Sequence, residues 1–140
     1  MSQNNLKEKI INILENSKIG ILSTVKNNKP YSRYMTFFND NLTLFTPTSI
    51  QTDKADEIKA NSNVHILAGY EGEGFGDSYV EIEGTASIND SDDLKEKLWN
   101  ENMEPWFDGP NDSNLIVLEI KPVKITLMNT KENSPKTLDL

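Results

Sequence analysis

Arg33 is the only arginine in a chain with 14 Lys and Arg residues in all. A lysine offers a solvated point charge, whereas a guanidinium offers a planar fork matched to phosphate or carboxylate. A second feature lies in LTLFTPTSIQTDKADEI, residues 42–58. A helix is predicted to open at Asp53, with the Thr52 hydroxyl accepting a free backbone N–H as its N-cap. Lys54 then stands in the first turn, where the helix dipole makes a cation mildly unfavourable. Asp53, Asp56 and Glu57 obey the dipole rule and Lys54 breaks it. The plain alternative is a solvated lysine. The chemical one is an anion seated over the helix start, held by Arg33, Lys54, the Thr52 hydroxyl and open helix N–H groups, a donor set suited to one phosphate.

These residues must be brought together by the elements that carry them. Residues 5–17 show Leu6, Ile10, Ile13 and Leu14 at helical spacing. Residues 19–25 read as a buried strand, KNNKP (26–30) as a turn, and 31–38 as a second strand rich in aromatics and threonine. After the turn NDN (39–41), residues 42–46 make a third strand. Hairpin pairing of the second and third strands would set Ser32, Arg33, Tyr34, Met35 and Thr36 beside Phe45 and Thr46, with Gln51, Thr52, Asp53 and Lys54 following. A helix is expected over 53–61 and strands over 64–70 and 79–88. Ser91 caps a helix running to about residue 100, and two last strands over 115–120 and 123–128 are broken at Lys121–Pro122. The stretch 131–140 reads as a polar, loose tail after a single domain of residues 1–130. Many short strands with few helices indicate a small barrel or α+β sheet rather than a doubly wound fold.

Composition excludes several functions. The net charge is −8 at pH 7 and the pI about 4.6, which disfavours nucleic acid, since backbone phosphates need clustered cations. There is no cysteine, so disulfides and thiolate chemistry are absent. No apolar run is long enough to span a membrane, and MSQNNLKEKI lacks a signal core. A cytoplasmic protein is the expectation. GEGFG (72–76) has the wrong spacing for a nucleotide loop, leads to a strand, and stands among Glu71, Glu73 and Asp77, so a hairpin loop is expected. His65 is the only histidine, with no carboxylate at ligand spacing, and reads as a packed or surface residue. Asp92–Asp93 and Asp56–Glu57 read as dipole-complementing pairs on helix starts. Core packing suits Trp99. Trp106, on the loop MEPWFDGPND (103–112), suits a ligand edge or a subunit interface.

SRYMTFF, LTLFTPTSIQTDKADEI, YVEIEGTASI and WFDGPND, in that order and spacing, resemble the flavin-binding split-barrel family typified by pyridoxamine 5'-phosphate oxidase. Within it, the chain looks like the short bacterial general stress protein branch. The resemblance implies a mainly β (α+β) fold, a six- to seven-stranded antiparallel split barrel with flanking helices. It implies a homodimer with flavin at the subunit interface and FMN as cofactor, with FAD as the alternative. By this similarity Arg33 and Lys54 hold the FMN phosphate, helped by Thr52. Ser32, Arg33, Tyr34 and Met35 lie along the isoalloxazine, with Phe45 and Thr46 on the neighbouring strand. Tyr79 falls where the oxidases place a glutamine against the flavin, and Trp106 reaches the partner's flavin. The oxidases carry a later arginine for their substrate, and no arginine follows Arg33 here. The resemblance therefore implies a flavin-dependent oxidoreductase that does not oxidise pyridoxamine phosphate. The alternative is a non-catalytic flavin-binding, flavin-sensing or interaction dimer. Haem binding has only His65 to offer as a ligand. A stress role is implied by the naming of that branch.

Overall fold

Helix α1 (Gln3–Asn16) buries Leu6, Ile10 and Leu14, one residue per turn, and is capped by Ser2, whose hydroxyl accepts from the Asn5 N–H at 3.1 Å. These positions come from a computed structural model that describes residues 1–131 and 134–140. Strands β1 (Ile19–Lys26) and β2 (Lys29–Thr36) form a hairpin. Its turn residues, Asn27 and Asn28, both have positive φ, 52° and 63°. Asparagine tolerates that region, and the resulting turn matches the twist of the strands. β3 (Phe38–Asp40) and β4 (Thr43–Ser49) form a second, shorter hairpin. Helix α2 (Asp53–Ala60) follows, then β5 (Asn63–Ala68), β6 (Tyr79–Asn89), helix α3 (Asp92–Leu98), a 3-10 turn (Glu101–Met103), β7 (Leu115–Met128) and β8 (Lys136–Leu138).

All strand pairs are antiparallel, in the order β2-β1-β5-β6-β7-β4-β3, with β8 attached to β7. The sheet curls until β2 and β4 approach without a ladder between them. There the Thr46 hydroxyl donates to the Thr36 carbonyl at 2.8 Å. That seam is the split, and the architecture is the antiparallel split barrel with flanking helices expected from the sequence. Leu22, Ile66, Ile82, Leu118, Ile120 and Ile125 fill the interior, fully buried, and Ile10 of α1 and Ile58 of α2 close it.

Four local expectations are corrected. The second strand does not run through residue 38. It breaks at Phe37, whose ring is buried and whose N–H donates to the Lys18 carbonyl at 2.7 Å. In consequence β2 pairs with β1, and β4 pairs with β3 and β7, so the two strands expected to be hairpin partners meet only at the seam. The last two strands are one, β7, running through Pro122. The proline is accommodated because the partner register shifts between Glu83 and Gly84, and because β4 ends its pairing at Ile120 before β8 begins at Ile125. β7 therefore has a strand on only one side at Pro122, where a missing N–H is tolerated. Finally, part of the stretch expected to be a loose tail is β8, whose Leu138 is buried. Residues 132 and 133 of that stretch lie outside the described residues.

Gly20 shows how tightly the sheet closes. A Cβ there would stand 2.7 Å from the Leu67 carbonyl oxygen and 3.1 Å from the Phe37 ring. The nearest obstacle is backbone and cannot rotate away. Gly20→Ala is expected to destabilise the fold by roughly 1–3 kcal/mol, the usual cost of overpacking, read as a lower urea midpoint at unchanged slope.

Candidate functional site

The curl of the sheet turns Arg33 of β2 inward, towards Thr24 of β1 and Glu57 of α2. Arg33 Nη1 donates to Thr24 Oγ1 at 2.7 Å and Nη2 to Glu57 Oε2 at 3.1 Å. The Thr24 hydroxyl donates to the same Oε2 at 2.6 Å, which closes the triangle. Glu57 is only 7% exposed, whereas Arg33 keeps 24%. Burial pushes the Glu57 pKa up, but the Thr24 hydrogen bond and the Arg33 charge outweigh it, so the carboxyl is held below its usual range. A carboxylate so depressed stabilises the fold fully above the unfolded-state value of about 4.3. That stabilisation is lost as the pH falls through the lower folded value. We expect the wild-type urea midpoint to fall between about pH 5 and 3 more steeply than that of Glu57→Gln. Parallel profiles for the two proteins would remove Glu57 as a source of acid sensitivity.

One turn before Glu57, Lys54 stands half-buried on α2. Partial burial lowers its pKa, and the Arg33 charge lowers it further, against the pull of Glu57 and Asp53. Two cations are thus held near each other at the start of α2, with Glu57 paired to Arg33 and with Asp53 and Asp56 in the same first turn. Thr52 occupies the N-cap position, but its hydroxyl makes no capping bond. It donates instead to the Ser49 carbonyl at 2.8 Å. This corrects the expected capping role and leaves the first N–H groups of α2 without that side-chain partner.

Lys54 and Thr52 line a cleft of about 900 Å3. Tyr34 and Met35 of β2 and Phe38 of β3 line it too. So do Trp106 and Phe107, on the loop after α3. Trp106 is 79% exposed and reaches the cleft of its own chain. Among the charged types, only Lys18 and Lys54 line this space. Its described lining therefore combines apolar and aromatic side chains with two lysines and no carboxylate.

The structure brings Tyr34, Met35, Thr52, Lys54 and Trp106 together in this cleft, with Arg33 linked to Lys54 through its charge. Thr46 is buried and braces the seam, and Phe45 faces Phe38 across the β3–β4 ladder. Ser32 is exposed, its Oγ 2.7 Å from Ser23 Oγ. Gln51 is exposed and reaches Asn114 Oδ1 at 3.4 Å. Asp53 faces away, lining a separate acidic concavity with Asp56. Tyr79 lines a second cavity. Glu57 and Thr24 were not singled out as site residues. The one available signal was that Glu57 falls between Ala55 and Ile58, both on the buried side of α2.

Two other features settle simply. His65 Nε2 lies 2.7 Å from Glu81 Oε1 across the β5–β6 ladder, and no group of three or more His, Cys, Asp or Glu suited to a metal occurs among the described residues. In the glycine-rich connection, the Glu71 and Glu73 N–H groups both donate to Asp77 Oδ2, at 2.9 and 2.8 Å. The donors a phosphate would use are already taken by a carboxylate. No helix of the described residues is long and apolar enough to cross a membrane.

A curled antiparallel sheet with a cationic, aromatic cleft at its seam defines a small split-barrel protein. Residues 6–129 match the family model described as "Pyridoxamine 5'-phosphate oxidase", and the chain belongs to that family. It is 54% identical over 140 residues to General stress protein 26 of Bacillus subtilis (strain 168), covering 100% of both chains. The crystal structure of General Stress Protein 26 from Bacillus anthracis str. Sterne is 38% identical, with a TM-score of 0.87 over 97% of this chain and 99% of that one. A FAD-binding protein from Mesorhizobium loti, 16% identical, shares the fold with a TM-score of 0.65 over 84% of this chain and 90% of that one.

Proposed function

We propose that this chain binds flavin, with FMN as its cofactor, and works as a flavin-dependent oxidoreductase of the pyridoxamine 5'-phosphate oxidase family. One observation carries the reading. A roomy cleft is lined by Tyr34, Met35, Phe38, Trp106 and by Lys54 in the first turn of α2, whose charge feels that of Arg33. A planar tricyclic ring bearing a phosphate on a short chain is complementary to that arrangement. Arg33 and Lys54 hold the phosphate, and Thr52 presents the helix start. Met35 and Tyr34 lie along the ring. Bound flavin supplies two-electron chemistry, and the protein contributes binding and orientation. The cleft lining contains no Asp, Glu or His, so no acid or base is assigned. FAD is accommodated if its adenylate leaves through the open mouth.

The working form is a homodimer in the cytoplasm, with the flavin at the subunit interface and the exposed ring of Trp106 covered by the partner. Pyridoxamine phosphate is not the substrate, because the sequence holds no second arginine for a second phosphate. A second reading, a flavin-binding sensor without turnover, is favoured by a described cleft lining without Asp, Glu or His. Titration with FMN and FAD, followed by flavin fluorescence, tests the cofactor. Saturable quenching at micromolar FMN is expected, and a chain that ignores both flavins overturns the proposal. Turnover of reduced nicotinamide by the loaded protein separates enzyme from sensor.

A further inference from the structure

The loop that brings Trp106 and Phe107 to the cleft leaves α3 at Leu98 and rejoins the sheet at Leu115. Its first half is wound, and Trp106 and Phe107 both donate their N–H to the Met103 carbonyl at 3.0 Å. Its second half is irregular and closes on one side chain. Asp112 Oδ2 accepts the Asp108 N–H at 2.9 Å, and Oδ1 accepts the Asn114 N–H at 2.8 Å. The Asp112 backbone joins the closure, donating to the Gly109 carbonyl at 3.1 Å and accepting from the Leu115 N–H at 3.0 Å. The bonds from Asp108 and Asn114 hold the carboxyl below its usual range, and the Lys95 charge on α3 adds to them. Asn114 carries the connection across to the other half of the cleft. Its carbonyl accepts the Ile50 N–H at 2.8 Å, and its Oδ1 accepts from Gln51 Nε2 at 3.4 Å. Ile50 and Gln51 lead directly into Thr52 and Lys54. One carboxylate thus stands between the chain that carries two aromatics and the chain that carries the lysine.

We propose that Asp112 is a positioning residue for the cleft, fixing the loop of Trp106 and Phe107 against the segment that opens α2. Neither Asp112 nor Asn114 lines the cleft, so the carboxylate acts only through the residues it holds. An ionised aspartate suits this place, because it only accepts and can take two N–H donors at once. An asparagine keeps one acceptor oxygen and turns its NH2 on the other donor. That the cleft so shaped receives flavin rests on the proposed function above. Charge and position predict different outcomes. Removing an acid would by Coulomb attraction alone tighten the binding of anionic FMN and leave neutral riboflavin unchanged. Loosening the aromatic loop weakens both, since both carry the ring.

FMN and riboflavin are titrated into the full chain well below its unfolding transition. Asp112→Ala is expected to weaken both by one common factor of about tenfold, and Asp112→Asn to weaken both alike by less. Should the alanine variant fail to fold, Asp112→Asn carries the comparison. Asp108→Asn removes the same charge from the same loop and leaves the N–H bonds in place, so both affinities should stay within about twofold. Where Trp106→Ala and Phe107→Ala have already removed the aromatics, Asp112→Ala should cost no more than about twofold further. Trp99→Phe leaves Trp106 as the sole tryptophan. Its fluorescence anisotropy then reports the loop without any ligand, and should fall in Asp112→Ala. Tighter FMN with unchanged riboflavin would overturn the positioning role and leave Asp112 as a charge. Full additivity with the aromatic substitutions, or an unmoved anisotropy, would overturn it too. A chain whose anisotropy falls but which binds neither flavin would uphold the role of Asp112 and overturn the proposed function. Flavin binding untouched by Asp112→Ala would do the reverse.

Discussion

Glu57→Ala is expected to lower the unfolding free energy by roughly 3–4 kcal/mol, the lower part of the range for breaking a buried ion pair. The carboxylate is 7% exposed and accepts from both Thr24 and Arg33. Removing it leaves the Thr24 hydroxyl without its acceptor, and the Arg33 and Lys54 charges without the carboxylate between them. The figure stays below the upper limit because Arg33 is 24% exposed and can turn its guanidinium partly to water. Glu57→Gln keeps the shape and an acceptor for Thr24, and should cost about 1–2 kcal/mol, the worth of a charged hydrogen bond reduced to a neutral one. Urea unfolding at pH 7 checks both. If Ala and Gln cost the same, charge compensation is not what Glu57 supplies. Raising the salt concentration should narrow the gap between the variants by little, because buried pairs are weakly screened.

The same triangle marks the limit of what local sequence could show. The helix over Leu6, Ile10 and Leu14, the turn at Asn27–Asn28 and the strand of Tyr79 to Asn89 were legible, because spacing and turn chemistry are written in neighbouring residues. Asp56–Glu57 looked like one pair of dipole-complementing acids. Asp56 is exposed, while Glu57 points to a strand 33 residues earlier. Nothing within α2 announces that contact. It exists because the sheet curls β1 and β2 under the helix. Phe37 was hidden for a different reason. Aromatic-rich β sequence continues unbroken through residue 38, and only the burial of the Phe37 ring beside Gly20 and the bond of its N–H to the Lys18 carbonyl end the strand. Pro47 was read as the end of its strand, yet β4 continues to Ser49. β3 covers β4 only from Thr43 to Phe45, so at Pro47 one side of the strand has no ladder to break. Arg33 and Lys54 were paired in the sequence reading through a hairpin that does not form. They come close by another route, since β2 packs with β1 and α2 lies across β1.

That route bears directly on what Arg33 does. Arg33→Ala is expected to weaken FMN binding by about 1.5–3 kcal/mol, tenfold or more in Kd. Riboflavin has the same ring and no phosphate, so its affinity should change little. The contrast matters more than the size, because Arg33→Ala also strips Glu57 of its cation. Lost stability alone would weaken both ligands together, through a smaller folded fraction. Binding is therefore compared well below the unfolding transition, where that fraction is close to one. Arg33→Lys sharpens the test. A lysine keeps the positive charge but cannot donate to Thr24 and Glu57 through a planar fork. It should restore part of the FMN affinity and little of the stability, if the charge serves the phosphate and the fork serves the triangle. Equal losses for FMN and riboflavin in Arg33→Ala would remove the phosphate role and leave Arg33 as a structural partner of Glu57.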